Sequence, residues 1–239
     1  LKAAYQDREA LQQLSDSCAA VTTEFENVPA ESLRWLASHC IVRPASEAVA
    51  VAQDRVREKA FFRDCGLGIA HSAVIDHADD LVSVEANLFP GILKRARFGY
   101  DGKGQVKLPT AEADLAAAWD KIGGALGVLE AWVPFQLEIS VLVARTVDGR
   151  TAVYEAAENV HRHHILHLSI SPARITEATA AEARALALGA PSTTASSRWP
   201  FSLAVATRLK PELQMKPVFM PSASGIWRSS MFDVRHLGV

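Results

Sequence analysis

The sequence has little of what would place a protein quickly. It carries only three cysteines in 239 residues, Cys18, Cys40 and Cys65, widely spaced and in no CxxC pattern. That excludes a disulfide frame and a cysteine zinc site, and reads as reduced thiols in a cytoplasmic protein. Neither sign of charge is in excess: the formal net charge is −2, which argues against nucleic acid or an anionic membrane as a partner. No apolar run is long enough to span a bilayer, and no signal peptide is visible. Internal repeats and an HExxH zinc pattern are also missing. What remains is the composition of an ordinary globular protein, 49% hydrophobic and 22% charged. The length suffices for one large domain or two to three small ones. The chain starts at Leu1, inside an expected helix, so an incomplete product is expected.

Periodicity gives alternating helices and strands at first. Residues 5–20 repeat helically through Leu11, Leu14 and Cys18, and Ala19 to Thr23 reads as a short buried strand. Pro29-Ala30-Glu31 opens a helix with Leu33 and Leu36 on its apolar side, and Ile41-Val42-Arg43 is a strand stopped by Pro44. Such α/β alternation suits a parallel sheet. Asp54 is a good N-cap for a helix ending at Cys65-Gly66. Residues 70–108 predict strand, helix, strand, loop, strand, and Thr110 is expected to cap the Ala-rich helix that follows. Alternation from Phe135 to Val143 predicts one strand with Gln136, Glu138 and Ser140 on its polar face. Thr176 begins a last helix ending near Gly189, beyond which no strand or helix of useful length is predicted.

Chemistry concentrates in Gly99-Tyr100-Asp101-Gly102-Lys103-Gly104-Gln105, between two expected strands. Three glycines let the backbone turn sharply and bring N–H groups to an anion, while Lys103 adds a cation. That is what gripping phosphates requires. Asp-Gly is equally a hairpin signal, so the loop alone leaves both readings open. It is no Walker A loop, because neither Ser nor Thr follows Gly102-Lys103.

Several neighbours bear on that choice. Lys94 closes a buried-looking strand, where a cation is costly unless it meets an anion; isolated, it would read as a lysine snorkelling from a strand end. With Lys103 and the loop amides it would make a polyphosphate site. Glu130-Ala131-Trp132-Val133 reads as a hinge between a helix and the strand at 135, either an adenine-edge site or a core connector. Glu138 could accept from ribose hydroxyls or pair with a basic neighbour. In the segment Glu158-Asn159-Val160-His161-Arg162-His163-His164, His161 and His164 lack the flanking acidic or cysteine ligands expected of zinc, so metal ligation is not expected there and a nucleotide-proximal His161 is the alternative. Glu24 and Glu26 read as a strand-end charge cluster, with acid–base work as the alternative.

In this order, a set of segments resembles the 5-(carboxyamino)imidazole ribonucleotide synthases of purine biosynthesis, members of the ATP-grasp ligases. They are Glu24-Phe25-Glu26-Asn27-Val28-Pro29, Gln53-Asp54-Arg55 with Glu58-Lys59, Leu93-Lys94, the 99–105 loop, Glu130 to Phe135, Glu138-Ile139-Ser140, Glu158-Asn159-Val160-His161 and Ser171-Pro172-Ala173. The resemblance runs from about residue 5 to residue 188. It implies an α/β ATP-grasp fold, a lid plus a larger mixed sheet, preceded by the end of a Rossmann-like domain. The expected division is 1–43 for that end, 44–134 for linker and lid, 135–188 for the start of the ATP-grasp core and 189–239 for a divergent tail. It further implies that Arg55, Lys94, Tyr100, Asp101, Gly102, Lys103, Gly104, Gln105, Glu130, Ala131, Trp132, Val133, Glu138 and His161 bind ATP, with Lys103 also catalytic. ATP with Mg²⁺, bicarbonate and 5-aminoimidazole ribonucleotide are the implied ligands, carboxyphosphate the intermediate, and a homodimer the implied assembly.

Two departures accompany the resemblance. The family opens with a glycine-rich strand–turn–helix, and this chain starts after it. The family also closes its core with a strand like V-G-V-L-A-V-E-F-F and an N-E-I-A-P-R-P-H-N-S-G-H segment, which carry its Mg²⁺-binding glutamates, and neither follows Gly189. A shifted reading frame over residues 192–202 would give a sequence close to the missing strand, so a frameshifted tail is one expectation and genuine divergence the other. Unpaired sheet edges, instability and weak or absent turnover are then expected. The alternatives in other classes are a non-catalytic ATP-binding remnant or interaction protein, and a sister ATP-grasp carboxylase or formyl-transfer ligase.

Overall fold

Three hydrophobic clusters, each drawn from a successive stretch of chain, organise the molecule. The computed structural model describes residues 2–23, 25, 27–99, 104–146, 148–162, 165–189, 201–208 and 213–217, the last two segments through their backbone. In the first stretch, α1 (Arg8–Ser17), β1 (Ala20–Thr22), α2 (Ala30–Ala37), β2 (Ile41–Arg43) and α3 (Ser46–Ala52) pack around Leu11, Leu33, Leu36, Val42 and Val49. Asp7 starts α1 by accepting hydrogen bonds from the Glu9 and Ala10 amides. Strands β1 and β2 pair in parallel, as the α/β alternation predicts. Helix α3 lies in what the sequence reads as a linker. Its Ser-Glu-Ala-Val-Ala-Val-Ala run buries Ala48, Val49 and Ala50.

The second stretch comprises α4 (Arg55–Asp64), β3 (Ser72–Ile75), α5 (Asp80–Ser83), a 3₁₀ turn at Ala86–Leu88, β4 (Gly91–Arg95), β5 (Gln105–Leu108), α6 (Leu115–Lys121) and β6 (Gly127–Ala131). Its sheet is antiparallel in the order β3-β6-β4-β5. Leu93 and Leu129, fully buried, join Ile75, Leu81, Leu108 and Ile122 beneath it. Helix α6 is capped by Asp114, whose carboxylate accepts from the Ala117 amide, and not by Thr110. Thr110 stands five residues before the first helical turn, too far for its hydroxyl to reach the orphan amides.

The third stretch holds β7 (Leu137–Arg145), β8 (Thr151–Val153), β9 (Ala157–Arg162), β10 (Ile165–Ile170), α7 (Glu177–Gly189), β11 (Phe201–Arg208) and β12 (Leu213–Pro217). The strand order is β10-β9-β7-β11-β12, with β8 also on β7, and each described pairing is antiparallel. Ile139, Val141 and Val143 point to one face, where Ala183 and Ala187 of α7 cover them. The Thr176 hydroxyl accepts from the Thr179 amide at the start of α7. Strands β11 and β12 correct the expectation of a patternless tail: β11 lies along β7 from Phe201 opposite Ala144 to Arg208 opposite Leu137. β7 presents main-chain donors and acceptors along its second edge, and a further strand satisfies them, so that edge is not left open. Among the described residues no helix is long and apolar enough to cross a membrane, and Cys18, Cys40 and Cys65 form no disulfide.

Candidate functional site

The sheet of the second stretch sets one carboxylate between two ammonium groups. Lys94 on β4 and Glu130 on β6 stand two residues out of step on adjacent strands, since Lys94 is opposite Val128 and Ile92 opposite Glu130. That diagonal brings Lys94 Nζ to 2.9 Å from Glu130 Oε2. Lys59 of α4 brings its Nζ to 3.4 Å from the other oxygen. The three side chains keep only 15%, 8% and 14% of their surface, for Lys94, Glu130 and Lys59 respectively. Gly91 makes the close approach possible, because a Cβ there would lie 2.3 Å from the Leu88 carbonyl oxygen and 2.9 Å from that of Glu130.

Burial and charge compete in this cluster. Burial alone would raise the Glu130 carboxyl; Lys94 and Lys59 overcome it and hold the group at about 2. Lys59 is pushed below the usual lysine range, because burial of its ammonium outweighs the pull of a carboxylate that sits closer to Lys94. The neighbouring Glu58 is raised to about 8, by burial first and by Glu130 in addition, against the cations of Arg55, Lys59 and Lys94. At neutral pH the cluster is therefore cationic.

Helix α4 is pinned so that this geometry persists. Asp54 accepts from the amides of Val56 and Arg57, the Arg55 amide donates to the Ala96 carbonyl at 3.0 Å, and Arg97 stands 3.9 Å from Asp54. The segment after β4 therefore holds the start of α4. Phe98, with φ 60°, takes a left-handed conformation uncommon outside glycine at the entry to the glycine loop. Gly104, with φ 70°, closes the loop, and its carbonyl accepts from the Arg95 amide at 2.8 Å. Gln105 is opposite Lys94 in the β4–β5 pair. The strands on either side of the loop thus form a hairpin, and the two readings of the loop are compatible. Tyr100, Asp101, Gly102 and Lys103 lie outside the described residues, as do Glu24, Glu26, His163 and His164.

Glu130 and Ala131 are not hinge residues, as the sequence suggests, but the last two residues of β6. The strand continues there because Ser72 and Ile92 are opposite Glu130 on its two edges. The connector starts at Trp132, whose amide donates to the Pro90 carbonyl at 2.7 Å, while the Phe135 amide donates to the Val133 carbonyl at 2.9 Å. Among the described residues the Val133 N–H and the Trp132 carbonyl have no hydrogen-bond partner. Lys107 Nζ lies 5.4 Å from the centre of the half-exposed Trp132 ring.

Beyond the connector, Glu138 on β7 is opposite Asn159 on β9. Glu138 Oε1 accepts from Asn159 Nδ2 at 3.4 Å and stands 3.7 Å from His161 Nδ1, and Ser169 donates to Asn159 Oδ1 at 2.9 Å. The alternate residue, Glu158, is opposite Ile139 and is held from the far side by the Arg174 guanidinium, which keeps its carboxyl below the usual range. The expected residues thus gather in two groups, Lys94 with Glu130 and Glu138 with His161, and among the described residues no ion pair joins them. Lys59, Glu58 and Asn159 escaped assignment from the sequence. A signal existed for Lys59: Arg55 and Lys59 are four residues apart on one helix, a repulsive pair unless an anion joins them.

The comparisons with known proteins bear on the whole arrangement. The ATP-grasp domain family matches residues 60–193, and the ribonucleotide synthetase preATP-grasp domain family matches residues 1–53. The chain belongs to the ATP-grasp family. It is 40% identical over 187 residues to the N5-carboxyaminoimidazole ribonucleotide synthase of Brucella melitensis biotype 1, covering 77% of this chain and 52% of that protein. The Bacillus subtilis protein of the same name is 36% identical over 190 residues, 79% of this chain and 50% of its own. Among solved structures, an ADP complex of an N5-carboxyaminoimidazole ribonucleotide synthetase is 36% identical with a TM-score of 0.80, covering 90% of this chain and 57% of that one. The Thermus thermophilus synthetase gives 33% and 0.79, with coverage of 90% and 58%. The chain spans about half the length of the curated relatives it matches.

Proposed function

We propose that this ATP-grasp chain binds ATP as part of an ATP-dependent carbon–nitrogen ligase. The reaction is carboxylation of 5-aminoimidazole ribonucleotide by bicarbonate, through carboxyphosphate, to the N5-carboxyamino product. The observation that carries this reading is the buried pair of lysines around Glu130 at the root of the glycine hairpin. Its chemistry suits a nucleotide. The cationic cluster, with Arg55 on the same helix, would meet phosphate oxygens. The glycine loop, Tyr100 to Gln105, would close over them, with Lys103 set to stabilise the transferring phosphoryl group.

Ala131 at the end of β6 and the connector residues Trp132 and Val133 would take the adenine, since among the described residues nothing engages the Val133 amide, a donor, or the Trp132 carbonyl, an acceptor, for the base edge. Glu138, oriented by Asn159, would accept from ribose hydroxyls with His161 beside it. Positioning and charge neutralisation are what phosphoryl transfer asks of a protein, and a closed flap excludes water from carboxyphosphate. ATP used with Mg²⁺ is typical of the ATP-grasp family; among the described residues no three of His, Cys, Asp and Glu come together to hold a metal ion. A cytoplasmic homodimer is the assembly that the family resemblance implies.

Calorimetric titration of the purified chain with ATP tests the binding, and ADP release dependent on both bicarbonate and 5-aminoimidazole ribonucleotide tests the reaction. Binding without release would favour a nucleotide-binding protein lacking turnover. Release driven by another amine in a substrate panel would favour a sister ligase. No binding of ATP would refute the proposal.

A further inference from the structure

The cluster around Glu130 contains two lysines for one carboxylate. We propose that Lys59 is a positioning residue: by taking one oxygen of Glu130, it leaves Lys94 free to present positive charge to a phosphate. The inference rests on the ATP reading above and deepens it. A lysine paired with a single carboxylate forms a neutral unit and attracts a phosphate only weakly. Here the carboxylate is divided, with Oε2 at 2.9 Å from Lys94 Nζ and Oε1 at 3.4 Å from Lys59 Nζ. The unit of three carries a net positive charge. Glu58, whose burial keeps it mostly protonated at neutral pH, does not cancel that charge.

Stability does not account for Lys59. Its side chain is only 14% exposed, and its ion pair is the longer of the two. Burial dominates its protonation, so the fold bears a desolvation cost that an apolar residue would avoid. Lys59 also cannot retreat: the Asp54 cap and the hydrogen bond from the Arg55 amide to Ala96 fix the helix that carries it. A charge held at such cost, on the far side of Glu130 from Lys94, acts through Glu130.

The test measures ATP affinity by calorimetry on the full chain carrying Lys59→Met, Lys59→Arg, and Lys59→Met combined with Glu130→Gln. One charge at this separation corresponds to roughly a tenfold or larger loss of affinity in Lys59→Met. Lys59→Arg should recover most of it. The double variant should bind ATP better than Lys59→Met alone, because neutralising Glu130 restores the net positive charge. Unchanged affinity in Lys59→Met, or a double variant weaker than that single one, overturns the inference. A second readout needs no nucleotide: acylation of Lys94 by an amine-reactive ester, followed by mass spectrometry at pH 8. With Lys59 gone, both oxygens of Glu130 are free to hold Lys94, so Lys59→Met should slow acylation by about threefold or more. An equal or faster rate overturns the inference, faster being the mark of a merely loosened structure. If the wild-type chain binds no ATP, the functional proposal falls, and the acylation rates decide this inference alone.

Discussion

Replacing Glu130 by Gln puts a number on the buried cluster. The wild-type carboxyl sits at about 2 against an ordinary 4.5. Lowering a carboxyl by that much corresponds to about 3 kcal/mol of folding free energy. A group with a depressed folded value contributes stability that is complete above pH 4.5 and is lost as pH falls towards 2. Part is offset, because Lys59 is buried at a cost even with its partner present, so the net loss in Glu130→Gln at pH 7 should be nearer 2 kcal/mol. Urea unfolding followed by circular dichroism between pH 3 and pH 7 provides the assay. The wild type should weaken steeply below pH 4.5 and the variant much less, so that the two curves converge in acid. If Glu130→Gln unfolds within about 0.5 kcal/mol of wild type at pH 7, or follows the same acid limb, the charge account of this cluster is wrong.

Other expectations concern the surroundings of that cluster. Glu58 is raised to about 8, so its contribution is complete below pH 4.5 and is lost as pH rises from there through 8; Glu58→Gln should remove that decline and gain about 2 kcal/mol or more at pH 9, read from the same unfolding curves extended to pH 9. Gly91→Ala places a Cβ against two carbonyl oxygens, and a loss of about 2–3 kcal/mol is expected; an unchanged Tm would show that β4 can shift away from β6. Asp54→Ala removes the cap of α4 and should cost about 1 kcal/mol, with ATP affinity falling as well because α4 carries Arg55 and Lys59.

Local signals were readable where one residue decides one feature. Asp54 marked the start of α4, Thr176 that of α7, and the alternation of Ile139, Val141 and Val143 a strand with one buried face. Features set by partners distant in sequence were not. Glu130 looked like a hinge because Trp132, Val133 and Pro134 follow it, yet Ser72 and Ile92 extend the strand to Ala131. Thr110 looked like a cap because its hydroxyl precedes an alanine-rich run, but Asp114 stands at the helix start. The run from Ser46 to Ala52 drew no element of its own from the sequence, and it forms a helix with Ala48, Val49 and Ala50 buried, Val49 in the cluster with Val42. Lys59 gained its meaning from a carboxylate 71 positions further along the chain. The segment from Phe201 to Arg208 had no persuasive pattern of its own; β7 supplies the template.

That last pairing has a bearing on how such a chain can change over time. A place beside β7 that is filled through main-chain hydrogen bonds sets the length and direction of its occupant far more than its side chains. Amino-acid replacements between 201 and 208 can then accumulate while the sheet keeps its neighbour. Whatever chemistry depends on side chains from that position would be lost first, and the architecture would persist as a record of it.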